Sequence, residues 1–316
     1  MTEILLLLAG FAALIFGATK LVDAASGLAS KMGVPSIVIG LTIVAFGTSA
    51  PELVVNVFAA VEGSTELVLG NILGSNIFNV LAILGVSALI APLGVKTSTT
   101  WIEIPLSLLA AVTVFIVAAD VFLDKASINV ISRSEGIILL LFFLIFLVYN
   151  LVVAKSGGAE EEIDTKDYSI PMAVLWIVIG LAGLVIGGRL IVTSAVSIAE
   201  SIGLSERVIG LTVVSIGTSL PELATSIIAV RKKNVDIAIG NVVGSNIFNI
   251  FLILGISGTI VPISINPASF FDIMVNILAG LLLFIFIFTG KGRQLERWEG
   301  IIFLMLFVGY ISYLII

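Results

Sequence analysis

Glu52 and Glu222 are the acidic residues that lie deepest inside long apolar runs of this chain. Nearly the same peptide carries each: Gly47-Thr48-Ser49-Ala50-Pro51-Glu52 and Gly217-Thr218-Ser219-Leu220-Pro221-Glu222. A charge at the centre of a bilayer costs about 3 kcal/mol on insertion scales, so each carboxylate needs a partner. Two facing carboxylates repel unless they share a proton or bind a cation, and a divalent ion neutralises the pair. Calcium takes about 6–8 oxygens in flexible geometry, which two glutamates and a few backbone carbonyls nearly supply; magnesium suits a smaller octahedral cage with retained waters.

The carbonyls come from the same peptides. Ser49 stands three residues ahead of Glu52, with Pro51 between them, which is capping-box spacing with proline in the first helical turn. A helix start in the middle of an apolar run predicts a broken helix, in which Pro51 withholds an amide and leaves a carbonyl free. Such backbone is tolerated at membrane depth only where it is buried in protein or lines a wet cavity, and there it can coordinate ions. The same holds for Ser219, Pro221 and Glu222.

A second motif supplies neutral oxygens. Asn71, Ser75 and Asn79 fall at i, i+4 and i+8 on one face of an otherwise apolar helix, and Asn241, Ser245 and Asn249 repeat the pattern. These are hard ligands suited to sodium or calcium. The spacings Gly70-x-x-x-Gly74 and Gly240-x-x-x-Gly244 let another helix approach closely. Blander readings of each feature stand beside these: a capped kink, interhelical polar glue and ordinary small-residue packing. A buried glutamate at the same place in both copies favours an ion site. Glu103, Asp120, Asp124, Glu135 and Asp272 fall near the ends of apolar runs and are expected at the membrane interface.

The elements that hold these residues follow from composition. The 316 residues are 59% hydrophobic and 11% charged, against about 25% charged in soluble domains, so the surrounding solvent is largely lipid. Runs of about 20 residues give ten spans, near 3–20, 36–60, 67–91, 101–119, 135–154, 170–195, 207–230, 236–260, 271–289 and 298–316. The first apolar stretch follows Glu3, without a basic start, and is expected to be a retained helix. With no cysteine and no histidine, disulfides, thiolate sites and the side chain best suited to proton exchange near neutral pH are absent. The net charge of −6 includes no basic cluster, so nucleic acid is not an expected partner.

Residues 155–168, Lys-Ser-Gly-Gly-Ala-Glu-Glu-Glu-Ile-Asp-Thr-Lys-Asp-Tyr, read as a solvated linker. The expected organisation is a first five-helix repeat, 1–154, a linker, 155–169, and a second five-helix repeat, 170–316. Of the 15 Lys and Arg, only Lys125, Arg133, Arg189 and Arg207 fall on the side opposite the linker, so the linker is predicted to be cytoplasmic and both termini extracytoplasmic. The halves are related by a constant offset of 170: residues 38–53 match 208–223 at 12 of 16 positions, and 70–80 match 240–250 at 8 of 11. Gly17, Gly33, Gly85 and Pro92 also recur, as Gly187, Gly203, Gly255 and Pro262. Five spans is an odd number, so the second copy enters the membrane from the opposite face. The predicted fold class is therefore an all-α integral membrane protein, ten transmembrane helices in two inverted-topology repeats with broken helices at the midplane.

The four motifs, Gly-Thr-Ser-Ala-Pro-Glu-Leu, Gly-Asn-Ile-Leu-Gly-Ser-Asn-Ile-Phe-Asn and their partners from 217 and 240, resemble the alpha-repeats of the cation/calcium antiporter superfamily, closest to its prokaryotic sodium/calcium exchangers. The resemblance covers residues 36–92 and 206–262 and implies a ten-helix antiporter exchanging Na+ for Ca2+. It further implies alternating access, with the first and sixth helices sliding past a fixed core. By motif position, Glu52 and Glu222 would bind calcium with the Thr48 and Thr218 backbone carbonyls. Ser49, Ser75, Ser219 and Ser245, with Thr48 and Thr218, would help form flanking sodium sites. Asn79 matches the asparagine of the family's first repeat. Asn249 departs from it, since many members carry aspartate there, so this site has one ionisable group fewer. Proton-coupled calcium exchangers of the superfamily follow the glutamate with histidine, where Leu53 and Leu223 stand here.

Calcium and sodium are thus the expected transported ions, with no cofactor, the lipid bilayer as surroundings and a monomer as the working unit in the cell membrane. Calcium/proton exchange on the same fold is the alternative. A passive channel ringed by the same carboxylates lacks a separate filter segment. An intramembrane hydrolase lacks a nucleophile or metal set beside its two glutamates, so the chain is not expected to be an enzyme.

Overall fold

The computed structural model describes residues 2–156, 168–201, 215–290 and 292–315. Most of the linker (157–167) lies outside the described residues, as do Gly203, Arg207 and the motif residues 208–214. So do Lys166 and Lys291, two of the cations used for orientation.

The chain is almost entirely helical. The helices are α1 (Thr2–Met32), α2 (Ser36–Thr48), α3 (Ala50–Val61), α4 (Thr65–Ile90), α5 (Thr99–Val117), α6 (Asp120–Leu123), α7 (Arg133–Ser156), α8 (Ile170–Ser201), α9 (Ser215–Thr218), α10 (Leu220–Arg231), α11 (Val235–Ile260), α12 (Ser269–Phe286) and α13 (Arg297–Ile315). Among the described residues eight helices are long and apolar enough to cross a membrane. The count is nine if α2 and α3, bent by 48° at Ser49, form one broken span. The expected break at the first motif is therefore present. The span expected at 207–230 is described only from Ser215, where α9 and α10 meet at Ser219.

Two expectations are corrected. The first helix does not stop near residue 20 but runs to Met32 and ends at Gly33, whose φ of +61° closes the turn as glycine permits. The second concerns the connections, read as loops, some of which pair as short ribbons without changing the all-α class. Four two-residue strands, β1 (Leu93–Gly94), β2 (Val130–Ile131), β3 (Ile263–Ser264) and β4 (Gln294–Leu295), form the antiparallel ribbons β1–β4 and β2–β3. Both ribbons join one copy of the repeat to the other.

Packing is inside out relative to a soluble protein. α4 and α11 are enclosed along nearly their whole length, while α7 turns Leu141, Leu144, Ile145, Val148, Leu151 and Val152 outward, as lipid-facing helices do. Without a hydrophobic drive between helices in lipid, close backbone packing takes over, and it uses glycine. A Cβ on Gly17 of α1 would stand 2.6 Å from Gly180 O of α8, and one on Gly187 would stand 2.6 Å from Leu14 N. The outer helices dock on the inner ones in the same way. A Cβ on Gly136 of α7 would stand 2.9 Å from Gly255 O of α11, and one on Gly300 of α13 would stand 2.8 Å from Gly85 O of α4. Each copy's last helix thus seats on the enclosed helix of the other copy.

Candidate ion site

The site is built where α2 breaks into α3 and α9 into α10. Pro51 and Pro221 stand in the first turns of α3 and α10 and have no amide hydrogen to offer the carbonyls four residues back, at Gly47 and Gly217. Both break residues, Ser49 (φ −81°, ψ 4°) and Ser219 (φ −91°, ψ 7°), sit just outside helical geometry. The capping-box reading placed the helix starts correctly but misassigned the hydroxyls, because neither serine caps its own helix.

Each serine reaches across instead. Ser49 Oγ donates to Glu222 Oε1 at 3.1 Å and lies 3.0 Å from Ser245 Oγ. Ser219 Oγ donates to Glu52 Oε1 at 3.0 Å and lies 3.0 Å from Ser75 Oγ. The threonines do the same: Thr48 Oγ1 donates to Asn241 Oδ1 at 3.0 Å, and Thr218 Oγ1 to Asn71 Oδ1 at 3.3 Å. Every one of these bonds joins residues whose partners recur at the 170-residue offset. A local rule cannot see this, since each acceptor lies over 140 residues away in the sequence.

Glu52 and Glu222 are each 1% exposed. One oxygen of each is held by the opposite serine; the other, Oε2, is buried and makes no hydrogen bond among the described residues. Asn79 Oδ1 and Asn249 Oδ1 are likewise buried without a partner, one turn beyond Ser75 and Ser245. Neither carboxylate is paired with a lysine or arginine among the described residues, where Lys96 pairs with Asp236 and Lys232 with Asp23. The ten residues expected at the site lie on α2, α3 and α4 of the first copy, on α9, α10 and α11 of the second, and at the two breaks, Ser49 and Ser219.

Sequence reasoning missed Asn56, Asn76, Ser226 and Asn246. Asn56 Nδ2 donates to Glu52 O at 2.7 Å, and Asn241 Nδ2 donates to Ser226 Oγ at 3.1 Å. Asn76 and Asn246 bond to one another's copies of the repeat. The signal for Asn76 and Asn246 was present as the first asparagine of each Gly-Ser-Asn-Ile-Phe-Asn motif, off the i, i+4, i+8 stripe. Glu103, expected near a span end, lies close to the start of α5 but is enclosed by protein. It is 1% exposed, enclosed by Tyr149 of α7, whose hydroxyl donates to Glu103 Oε1. Asp120, Asp124, Glu135 and Asp272 are partly or fully exposed.

A family model described as sodium/calcium exchanger protein matches residues 2–152 and 172–316. This chain belongs to that family. Its members are ion exchangers, and this one carries the family pattern over both copies of the repeat. It is 35% identical over 340 aligned positions to the sodium/calcium exchanger MaX1 of Methanosarcina acetivorans, covering 97% of each chain. It is 37% identical over 307 positions to the inner membrane protein YrbG of Escherichia coli, covering 94% of this chain and 92% of that one. Among solved structures, the sodium-calcium exchanger NCX_Mj superposes with a TM-score of 0.82 at 31% identity, covering 98% of both chains. The family member described here is thus an integral membrane cation exchanger by descent. Its paired buried carboxylates and hydroxyls are the hard oxygen donors that such cations require.

Proposed function

We propose that this chain is a secondary active antiporter that exchanges Na+ for Ca2+ across the cell membrane by alternating access. Calcium sits between Glu52 and Glu222, with the Thr48 and Thr218 backbone carbonyls. The hydroxyls of Ser49, Ser75, Ser219 and Ser245, the threonines, and the oxygens of Asn79 and Asn249 complete the calcium site and the flanking sodium sites. The observation that carries this reading is reciprocal: each carboxylate has one oxygen held by the other copy's serine and the other oxygen buried with no hydrogen-bond partner among the described residues.

Electrostatics then explains why transport is coupled. Two unneutralised carboxylates in a dry site are expensive, so the barrier to moving the site empty is high. One Ca2+ or two Na+ cancels the two charges, and both ions must use the same oxygens. They therefore compete, and the protein crosses between its two states only when loaded.

On this reading ten spans form two halves of opposite topology, 1–154 and 170–316, around a cytoplasmic linker, 155–169, with both termini outside and one chain sufficient. The 170-residue recurrence of the site contacts, the exchanged ribbons and the exchanged outer helices support it. The test is calcium uptake into sodium-loaded proteoliposomes. Uptake should collapse when the sodium gradient is removed; uptake that instead follows an imposed pH gradient would make the protein a calcium/proton exchanger.

A further inference from the structure

Between α4 and α11 four asparagine side chains close a ring that the ion-site assignment leaves unexplained. Asn76 Nδ2 lies 3.3 Å from Asn246 O, and Asn246 Nδ2 lies 3.4 Å from Asn76 O. Asn79 Nδ2 donates to Asn246 Oδ1 at 3.0 Å, and Asn249 Nδ2 donates to Asn76 Oδ1 at 3.0 Å. All four are buried.

The direction of these bonds is dictated by two main-chain carbonyls. A carbonyl only accepts, so the atom that Asn76 turns toward Asn246 O must be its NH2 group, and its other atom must be Oδ1. Whatever meets that Oδ1 must donate, which turns the NH2 of Asn249 toward Asn76 and leaves Asn249 Oδ1 on the far side. The same chain of reasoning runs from Asn76 O through Asn246 to Asn79. Both freed oxygens, Asn79 Oδ1 and Asn249 Oδ1, are buried and have no hydrogen-bond partner among the described residues.

We propose that Asn76 and Asn246 are positioning residues that aim the Asn249 and Asn79 carbonyl oxygens at the transported cation and keep that end of the site neutral. Building on the antiporter reading, this accounts for the departure at position 249. An aspartate there would set a carboxylate oxygen against Asn76 Oδ1, and flipping the Asn76 amide to meet it would set Oδ1 against the Asn246 carbonyl. The ring is matched to asparagine.

The test is a double-mutant cycle on calcium binding to the purified full-length protein, read by titration calorimetry, with folding checked by gel filtration. Asn249→Ala removes the proposed ligand oxygen, and Asn76→Leu removes only what aims it. Each should weaken calcium binding by roughly tenfold, and the double substitution should bind within about twofold of Asn249→Ala alone, because the aimed oxygen is already gone. Unchanged binding in folded Asn76→Leu, or losses that multiply to about a hundredfold in the double variant, overturn the proposal. Should Asn76→Leu not fold, Asn246→Leu with Asn79→Ala runs the same cycle on the other copy. Binding is read without a gradient, so failure of sodium-driven uptake by the unsubstituted protein counts against the exchange reading alone.

Discussion

Replacing Glu52 by glutamine keeps the shape of the side chain and removes one negative charge from a place where no lysine or arginine among the described residues pairs with it. Glu52 is 1% exposed, its Oε1 is held by the uncharged Ser219 hydroxyl and its Oε2 has no hydrogen-bond partner among the described residues. Breaking a buried charge pair by removing one member costs about 3–5 kcal/mol, so calcium affinity should fall by roughly two to three and a half decades. Glu222→Gln should do the same, because the bond from Ser49 and the bare Oε2 are repeated there. Thermal unfolding in detergent reads this without a transport assay. At a calcium concentration about a hundredfold above its Kd, binding stabilises the unsubstituted protein by about 2.7 kcal/mol, or roughly 4 °C in Tm for a chain of this length. Both glutamine variants should lose that shift. Without ions they should unfold no earlier than the parent, since removing one of two neighbouring like charges relieves repulsion. Sodium-driven calcium uptake should disappear in both. Calcium stabilisation of parental size in both variants would refute the ligand assignment, and a variant that unfolds early in the absence of ions would refute the electrostatic account of its loss.

Ser49→Ala removes the 3.1 Å bond to Glu222 Oε1 and leaves the longer, 3.4 Å one from Ser245, and should weaken calcium binding by about tenfold; calorimetry that returns the parental affinity would show the exchanged serine to be idle. Gly17→Ala drives a Cβ to 2.6 Å from Gly180 O and should lower stability by about 1–3 kcal/mol through separation of α1 from α8. An unshifted melting curve would mean that this glycine seam tolerates spreading. Tyr149→Phe removes the hydroxyl that donates to enclosed Glu103 and should cost about 1–3 kcal/mol of stability. Uptake per folded molecule should stay near the parental rate, and loss of transport in a variant of normal Tm would move Glu103 into the ion pathway.

Much of this molecule can be read along the chain, because what the chain itself repeats needs no third dimension to be noticed. Apolar runs of membrane length, the 170-residue offset, and the Gly-Thr-Ser-x-Pro-Glu break all rest on local physics. A proline withholds an amide, glycine allows close approach, and a carboxylate cannot stand alone in lipid. Those rules located α2, α3, α4 and α11 to within a few residues and singled out Glu52 and Glu222. What folding added is which group answers which. Ser49 has capping spacing to Glu52 yet donates to Glu222, because packing brings that carboxylate within 3.1 Å of its hydroxyl. Glu103 lies near a helix end yet is enclosed, because Tyr149, 46 positions on, closes over it. Asn76 and Asn246 point away from the stripe that the helical period picks out, and their use depends on a helix from the other copy standing opposite. One-dimensional spacing reports which residues share a face; only the assembled helices decide what that face meets, and hydrogen bonds and buried charges are settled by what they meet.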